Sequence, residues 1–203
     1  MIPSLTIITE GSSELGLGHI RRCITLKNKL IEIFQNKINI NFVITDKTDY
    51  ASINFLEKEE CKLNNEIISE FILIDLSIDN ARNYLKKFCK TKKKIICLDW
   101  FDPEIIPNLT VNLFDHSYKM KNRYLEIGKK DYYKEGGEYA LIRDEIIVKR
   151  NKIKEIRKKV EKIIITMGGA DPSRKTLEAI RDIQKNKIKL IKISIILGPL
   201  FPK

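Results

Sequence analysis

Apolar and polar residues alternate along the first half of the chain in a regular succession. Leu5 to Thr9 is a short apolar, β-branched run of the kind that forms a strand, and from Ile20 onward Ile24, Leu26, Leu30, Ile31 and Phe34 recur at helical spacing. Ile40 to Thr45 predicts a second strand ending at Asp46. A helix over Tyr50 to Glu60 follows, with Ile53, Phe55 and Leu56 as its apolar positions. Phe71 to Ile74 predicts a third strand ending at Asp75, and a helix runs from about Asp79 to Lys90. Lys94 to Leu98 ends at Asp99, and Leu109 to Phe114 ends at Asp115-His116. Near-continuous apolar strands alternating with helices predict an α/β fold with a parallel sheet covered on both faces.

The pattern weakens between Tyr118 and Gly137, a polar stretch with Lys and Tyr that closes on Gly136-Gly137 and reads as a loop or mobile excursion. Tyr139 to Arg143 restores an apolar run. Lys149 to Lys162, with Ile153, Ile156 and Val160 among many charges, reads as a solvated helix joining two units. A second unit opens at Ile163 to Met167, turns at Gly168-Gly169-Ala170-Asp171-Pro172-Ser173, continues as a helix over about 174–184, and returns as a strand over Lys192 to Leu197. These boundaries give a first domain over 1–148, then a linker helix and the start of an incomplete second domain over 149–203. Two strands and one helix cannot cover both faces of a sheet. Apolar positions such as Ile193, Ile195 and Leu197 are therefore expected to lack cover, favouring self-association or a partner chain.

Composition narrows the class. Hydrophobic content of 43% and charged content of 32% are those of a soluble globular chain. The net charge of +11 suggests nucleic acid, but Lys outnumbers Arg by about three to one and no aromatic platform is interleaved with the basic residues, so nucleic acid is not expected as a partner. No apolar run approaches the ~20 residues of a membrane span, and the amino terminus lacks a basic region ahead of an apolar stretch; a cytoplasmic protein is expected. Cys23, Cys61, Cys89 and Cys97 lack metal-site spacing and read as buried reduced thiols.

The candidate chemistry begins in the loop after the first strand. Gly11, Gly16 and Gly18, three of only 9 glycines, fall there; they permit positive φ and close approach of backbone N–H groups to a ligand. His19 stands at the helix entrance, where the positive end of the dipole disfavours an imidazolium and leaves a ring able to accept a proton. Arg21 and Arg22 break the charge preference of a helix start, a conflict that a bound anion would relieve. The spacing matches neither a dinucleotide fingerprint nor a P-loop. Ligands of parallel sheets bind beyond the carboxyl ends of the strands, where His19, Asp46, Asp75, Asp99 and Asp115 all fall. Each Asp also suits a helix cap. Asp99 is favoured for substrate because Trp100-Phe101 beside it offers an aromatic wall for a sugar face. His19 and His116, far apart in sequence, make no metal site, and no metal or cofactor is expected. Gly168-Gly169, with Ser173 placed to cap the next helix, forms a second candidate phosphate cradle.

Several segments together resemble a known family. Gly16-Leu17-Gly18-His19-Ile20-Arg21-Arg22 is similar to the Gly-x-Gly-His-x-x-Arg motif of the UDP-sugar hydrolases of pseudaminic acid biosynthesis and the related spore-coat polysaccharide proteins. Tyr139-Ala140-Leu141-Ile142-Arg143 resembles their Tyr-Ala-Leu-Leu-Arg segment, Gly168-Gly169-Ala170-Asp171-Pro172 their Gly-Gly-Ser-Asp-Pro turn, and Leu197-Gly198-Pro199 the strand end that follows. The resemblance implies a GT-B-type arrangement of two Rossmann-like domains with the sugar nucleotide between them. It makes His19 the general base that activates water for metal-independent attack at the anomeric carbon, with inversion and loss of UDP. It places Gly16, Gly18, Arg22, Asp75, Asp99, Gly168, Gly169 and Asp171 on the substrate. The sequence departs from the family after the third strand, where Asp75 is followed by Leu76-Ser77 in place of His-Tyr, and it has no counterpart of the later motif that holds uracil and ribose. The implied activity is hydrolysis of a UDP-linked diacetamido-trideoxyhexose or similar sugar nucleotide. The alternatives are a glycosyltransferase of the same fold, or a truncated, non-catalytic domain that binds a sugar or a partner.

Overall fold

A computed structural model describes residues 2–113, 118–150, 159–186 and 192–201. Its centre is a six-stranded, all-parallel sheet of β1 (Ser4–Thr9), β2 (Asn39–Ile44), β3 (Phe71–Asp75), β4 (Lys94–Leu98), β5 (Leu109–Asn112) and β6 (Tyr133–Glu135), in the order β2-β1-β3-β4-β5-β6. Between the strands run α1 (Gly18–Ile33), α2 (Tyr50–Lys58), α3 (Ile78–Phe88) and α4 (Tyr118–Glu126); α5 (Asp144–Arg150) follows the sheet. The architecture is Rossmann-like α/β, as the periodicity predicts.

Side chains alternate across the sheet, and the alternation sorts the core into two layers. Ile7, Phe42 and Leu73 point to the face covered by Ile20, Cys23 and Ile24 of α1 and Leu56 of α2. Ile8, Ile72, Ile74 and Ile95 point to the other, beneath Ala81, Leu85 and Phe88 of α3 and Met120 and Tyr124 of α4. β1 is buried along nearly its whole length because it has a parallel neighbour on each side, with Ile7 in register with both Phe42 and Leu73. Leu85 is fully buried, so Leu85→Ala would open a cavity costing about 2–5 kcal/mol.

The chain leaves β1 toward β2 on one side and returns to β3 on the other. The order reverses there, and the crevice beyond the carboxyl ends of β1 and β3 is the switch point where ligands of such sheets bind.

Three expectations need correction. The stretch 118–137 is not an open loop: Met120 and Tyr124, one turn apart on α4, are fully buried, and β6 adds a sixth strand. Two apolar positions among lysines carry little periodic signal, yet Tyr124 is anchored as firmly as an aliphatic residue. Its ring lies 5.5 Å from that of Tyr133, and its hydroxyl lies 2.9 Å from Thr110 Oγ1 and 3.0 Å from Pro107 O. The β–α alternation also lapses between β4 and β5, whose connection carries no helix. A helix, α5, forms ahead of the charged run read as a linker helix, and that run is not helical at its far end, where residues 159–161 carry no helix and Lys162 begins a strand; residues 151–158 lie outside the described residues, as do Asp115 and His116.

Beyond the linker, β7 (Lys162–Thr166), α6 (Lys175–Lys185) and β8 (Lys192–Ile196) form a β-α-β unit whose two parallel strands make a separate sheet. Its apolar surface lacks cover as expected, with Ile164 65%, Ile196 54% and Leu197 53% exposed. Among the described residues, no helix is long and apolar enough to cross a membrane.

Candidate functional site

The loop between β1 and α1 is built by short-range backbone needs. Ser12 and Gly16 bond to each other across it, Gly16 N donating to Ser12 O at 2.7 Å, and the Ser12 hydroxyl accepts from the amides of Glu14 and Leu15. Gly16 has φ +78°, a conformation that a side chain would strain. Gly11 packs closely for a different reason: a Cβ there would lie 2.6 Å from Ile20 Cδ1 and 3.1 Å from Gly16 O, so a larger residue would require the Ile20 side chain to shift. Asp49 holds the loop from outside, accepting from Ser13 N at 2.7 Å while capping α2 through Ser52 N at 2.9 Å. No side chain caps the start of α1.

His19 and Arg22, one turn apart on α1, share a face and meet the ends of β3 and β4. His19 Nδ1 lies 2.7 Å from Oδ1 of Asp75. Arg22 donates Nε and Nη2 to the two oxygens of Asp75 and Nη1 to Oδ2 of Asp99. The Asp75 side chain is fully buried, and His19 remains about one quarter exposed at 26%. Burial alone would raise the Asp75 carboxyl, but the hydrogen bonds from Arg22 and His19 and the Arg22 charge outweigh it and hold Asp75 below the ordinary carboxylate range. Burial likewise opposes the Arg22 charge, and Asp75 with Asp99 more than restores it. Asp75 is therefore an anion that can only accept. Nδ1 of His19 carries the hydrogen between them, and in the uncharged tautomer with that hydrogen the lone pair falls on Nε2.

Two sequence expectations change here. The positive charge at the start of α1 needs no external anion: Asp75 and Asp99 neutralise Arg22, and the Arg21 guanidinium lies 4.7 Å over the Phe55 ring. Trp100 is not an aromatic wall. It is buried in the core with Nε1 donating to Ile105 O at 2.8 Å, which leaves Phe101 as the partly exposed ring beside Asp99.

The four acidic strand ends separate by role. Asp75 and Asp99 converge on Arg22. Asp99 adopts φ +49° and accepts from Leu113 N at 2.9 Å through its other oxygen, tying β4 to β5. Asp46 is exposed and outside the cluster, and Asp115 is outside the described residues. Cys23, below His19 on α1, donates its thiol to Asp75 Oδ2 at 3.4 Å; burial, then the Asp75 charge, pushes that thiol far up and keeps it unreactive.

The second glycine turn lies against the first loop. Gly168 has φ +77°, and a Cβ on Gly169 would lie 3.3 Å from the amide nitrogen of Leu17, next but one before His19. Gly198 sits directly on the carbonyls of Gly168 and Gly169, too close for any side chain, and Leu200 N donates to Gly169 O at 2.9 Å. Asp171, not Ser173, caps α6, accepting from Lys175 N at 2.8 Å and Thr176 N at 3.0 Å. A left-handed Arg174 at the N-cap turns Asp171 back over the helix and leaves Ser173 exposed. Gly18 faces open space.

A groove of about 460 Å3 lies away from this cluster, between α1, α2 and residues 140–147, lined by Ile24, Phe55, Leu141 and Ile147 among others. Among the described residues, no group of three or more His, Cys, Asp and Glu is arranged to hold a metal ion.

The fold and cluster define a class: a Rossmann-like α/β protein with a His–Asp pair, braced by Arg, at the switch point of its sheet. No protein-family model matches the chain. It is 30% identical over 217 aligned residues to an uncharacterized protein of Methanocaldococcus jannaschii, across 97% of this chain and 43% of that protein. It is 26% identical over 199 residues to the UDP-2,4-diacetamido-2,4,6-trideoxy-beta-L-altropyranose hydrolase of Campylobacter jejuni, across 89% of this chain and 65% of that one. The chain thus spans less than two thirds of the length of either relative.

Proposed function

We propose that this chain carries the general base of a sugar-nucleotide hydrolase that releases UDP from a UDP-linked diacetamido-trideoxyhexose or a similar sugar nucleotide, in the making of a nonulosonic acid or surface polysaccharide. The observation that carries the reading is the 2.7 Å contact of His19 Nδ1 with a buried, anionic Asp75. A ring held in that tautomer presents Nε2 as a base from a partly exposed position. Nε2 takes a proton from water, the water oxygen forms a bond to the anomeric carbon, and the carbon–oxygen bond to UDP breaks with its electron pair leaving on the diphosphate. Configuration inverts, and Asp75 stabilises the imidazolium that results.

In this reading residues 1–148 are one Rossmann-like domain and 149–203 begin a second, in a GT-B-type arrangement. Gly16, Gly18, Gly168 and Gly169 approach the diphosphate through their backbone, and Arg22, Asp75, Asp99 and Asp171 shape the site around it. The similarity to the Campylobacter hydrolase supports the substrate class. The exposed apolar faces of β7 and β8 favour completion of the second unit by further chain or by a partner.

The test is incubation of the chain with a UDP-linked diacetamido-trideoxyhexose in the absence of any acceptor. Steady release of UDP and free sugar supports hydrolysis. Release only on addition of an acceptor alcohol would make the protein a glycosyltransferase, and binding with no turnover under either condition would make it a non-catalytic module.

A further inference from the structure

Glu10 is the first residue after β1, and its side chain is completely buried. A buried carboxylate is costly unless it is fully hydrogen-bonded. Here it accepts from three groups on two different segments: the Thr45 hydroxyl at 3.0 Å from the end of β2, the Ser77 amide at 2.7 Å, and Asn80 Nδ2 from the first turn of α3. Burial raises the Glu10 carboxyl, but the bonds from Ser77, Asn80 and Thr45 outweigh it, so the group is an anion. It therefore serves as the N-terminal anion of α3, whose own N-cap, Ser77, makes no side-chain cap bond.

Its place in the chain matters more than the cap. Glu10 begins the loop that leads into α1 and His19, and Ser77, whose amide it holds, lies two residues after Asp75. Thr9 and Asp75 are in register across β1 and β3. One carboxylate thus clamps the outgoing turns of both strands whose ends supply the two halves of the His19–Asp75 contact.

We infer that Glu10 is a positioning residue that sets the register of the Asp75–Ser77 turn against the β1–α1 loop and thereby aligns Asp75 Oδ1 with His19 Nδ1. The kinetic part of the test rests on the hydrolase reading; the spectroscopic part does not.

Glu10→Gln keeps size and shape but presents an amide with one acceptor oxygen, and its NH2 meets the Asn80 or Thr45 donor. The experiment compares this variant with the unaltered chain, labelled with 15N-histidine and assigned by the signals lost in His19→Gln. In the unaltered protein, His19 gives a downfield Nδ1–H resonance and the shifts of a ring with its lone pair on Nε2. In Glu10→Gln that resonance broadens or is lost and the tautomers mix, while circular dichroism is unchanged; turnover falls about 10- to 100-fold with KM altered less than about 2-fold. An unchanged Nδ1–H resonance in a folded Glu10→Gln protein overturns the inference, whatever the turnover. Should Glu10→Gln not fold, the pair Thr45→Val and Asn80→Ala removes two of the donors and leaves the carboxylate, and the same resonance decides. If the unaltered chain hydrolyses no sugar nucleotide, the hydrolase reading fails and the resonance alone still decides the role of Glu10.

Discussion

Asp75 is the shared acceptor of two neighbours one helical turn apart: His19 Nδ1 reaches its Oδ1 at 2.7 Å, and Arg22 grips both oxygens while extending to Asp99. The arrangement resolves a problem of burial. A carboxylate with no solvent exposure would be protonated or expelled if left alone, and Arg22 makes its charge tolerable. His19 then receives a strong, fixed acceptor that orients its ring.

His19 is expected to be needed for turnover and dispensable for folding. It makes no cap bond at the start of α1, so its removal deletes no helix-terminal hydrogen bond. His19→Ala and His19→Gln should each lower turnover by about 10²–10⁴-fold, while the folded protein survives the loss of one hydrogen bond to Asp75, a cost of about 1–3 kcal/mol with Arg22 still in place. Thermal melts and UDP release measured on the same samples check this; lost stability with normal turnover of the folded fraction would remove His19 from the mechanism.

Arg22 is expected to fail as lysine. Its planar fork meets two carboxylates at once, which an ammonium cannot reproduce. With the Arg22 side chain 19% exposed and Asp75 fully buried, Arg22→Lys should cost on the order of 1–3 kcal/mol, and Arg22→Met, which leaves Asp75 uncompensated by Arg, about 3–5 kcal/mol. Urea denaturation of the three proteins orders them, and equal midpoints would contradict the clamp.

The pH dependence of stability follows from Asp75. Its folded-state carboxyl is held below the ordinary value by Arg22 and His19 against the opposing effect of burial. Such a group contributes stability that is fully present above the unfolded value, about 3.9, and is lost as pH falls through the folded one. Stability attributable to Asp75 should thus be level from neutrality to about pH 5 and decline below about pH 4. Asp75→Asn should be less stable at neutrality, and the gap to the unaltered chain should narrow over that acid range. Parallel slopes for the two proteins below pH 4 would show that Asp75 carries no such linkage.

The exposed strands of the second unit should make this chain associate. Ile164 and Ile196 lie on β7 and β8 with more than half their surface exposed, on a sheet of only two strands. Sedimentation velocity of the 203-residue chain should show association that rises with concentration, and Ile164→Lys with Ile196→Lys should abolish it. A monomer at every concentration before substitution would contradict this.

What the sequence by itself determined is the part that depends on local order. Alternation and helical spacing specify the strands and the helices α1 to α3, because each needs only its own residues to declare an apolar face. The loop glycines and His19 at the helix entrance are legible for the same reason, since loop geometry and helix start lie within one short segment. Glu10 left a faint signal too, an acidic residue closing a buried strand as four Asp close others, but its partners stand 35 to 70 residues away. Only the tertiary structure decided which of those acids meet. The order β2-β1-β3-β4 brings Asp75 and Asp99 to Arg22 and leaves Asp46 in solvent. It also decided that Trp100 turns inward and that Tyr124 and Tyr133 can be core residues, because a polar atom on a large ring is buried only where a distant carbonyl, hydroxyl or amide arrives to satisfy it. Spacing along one chain does not encode that arrival; the packing of the strands and helices around the sheet supplies it.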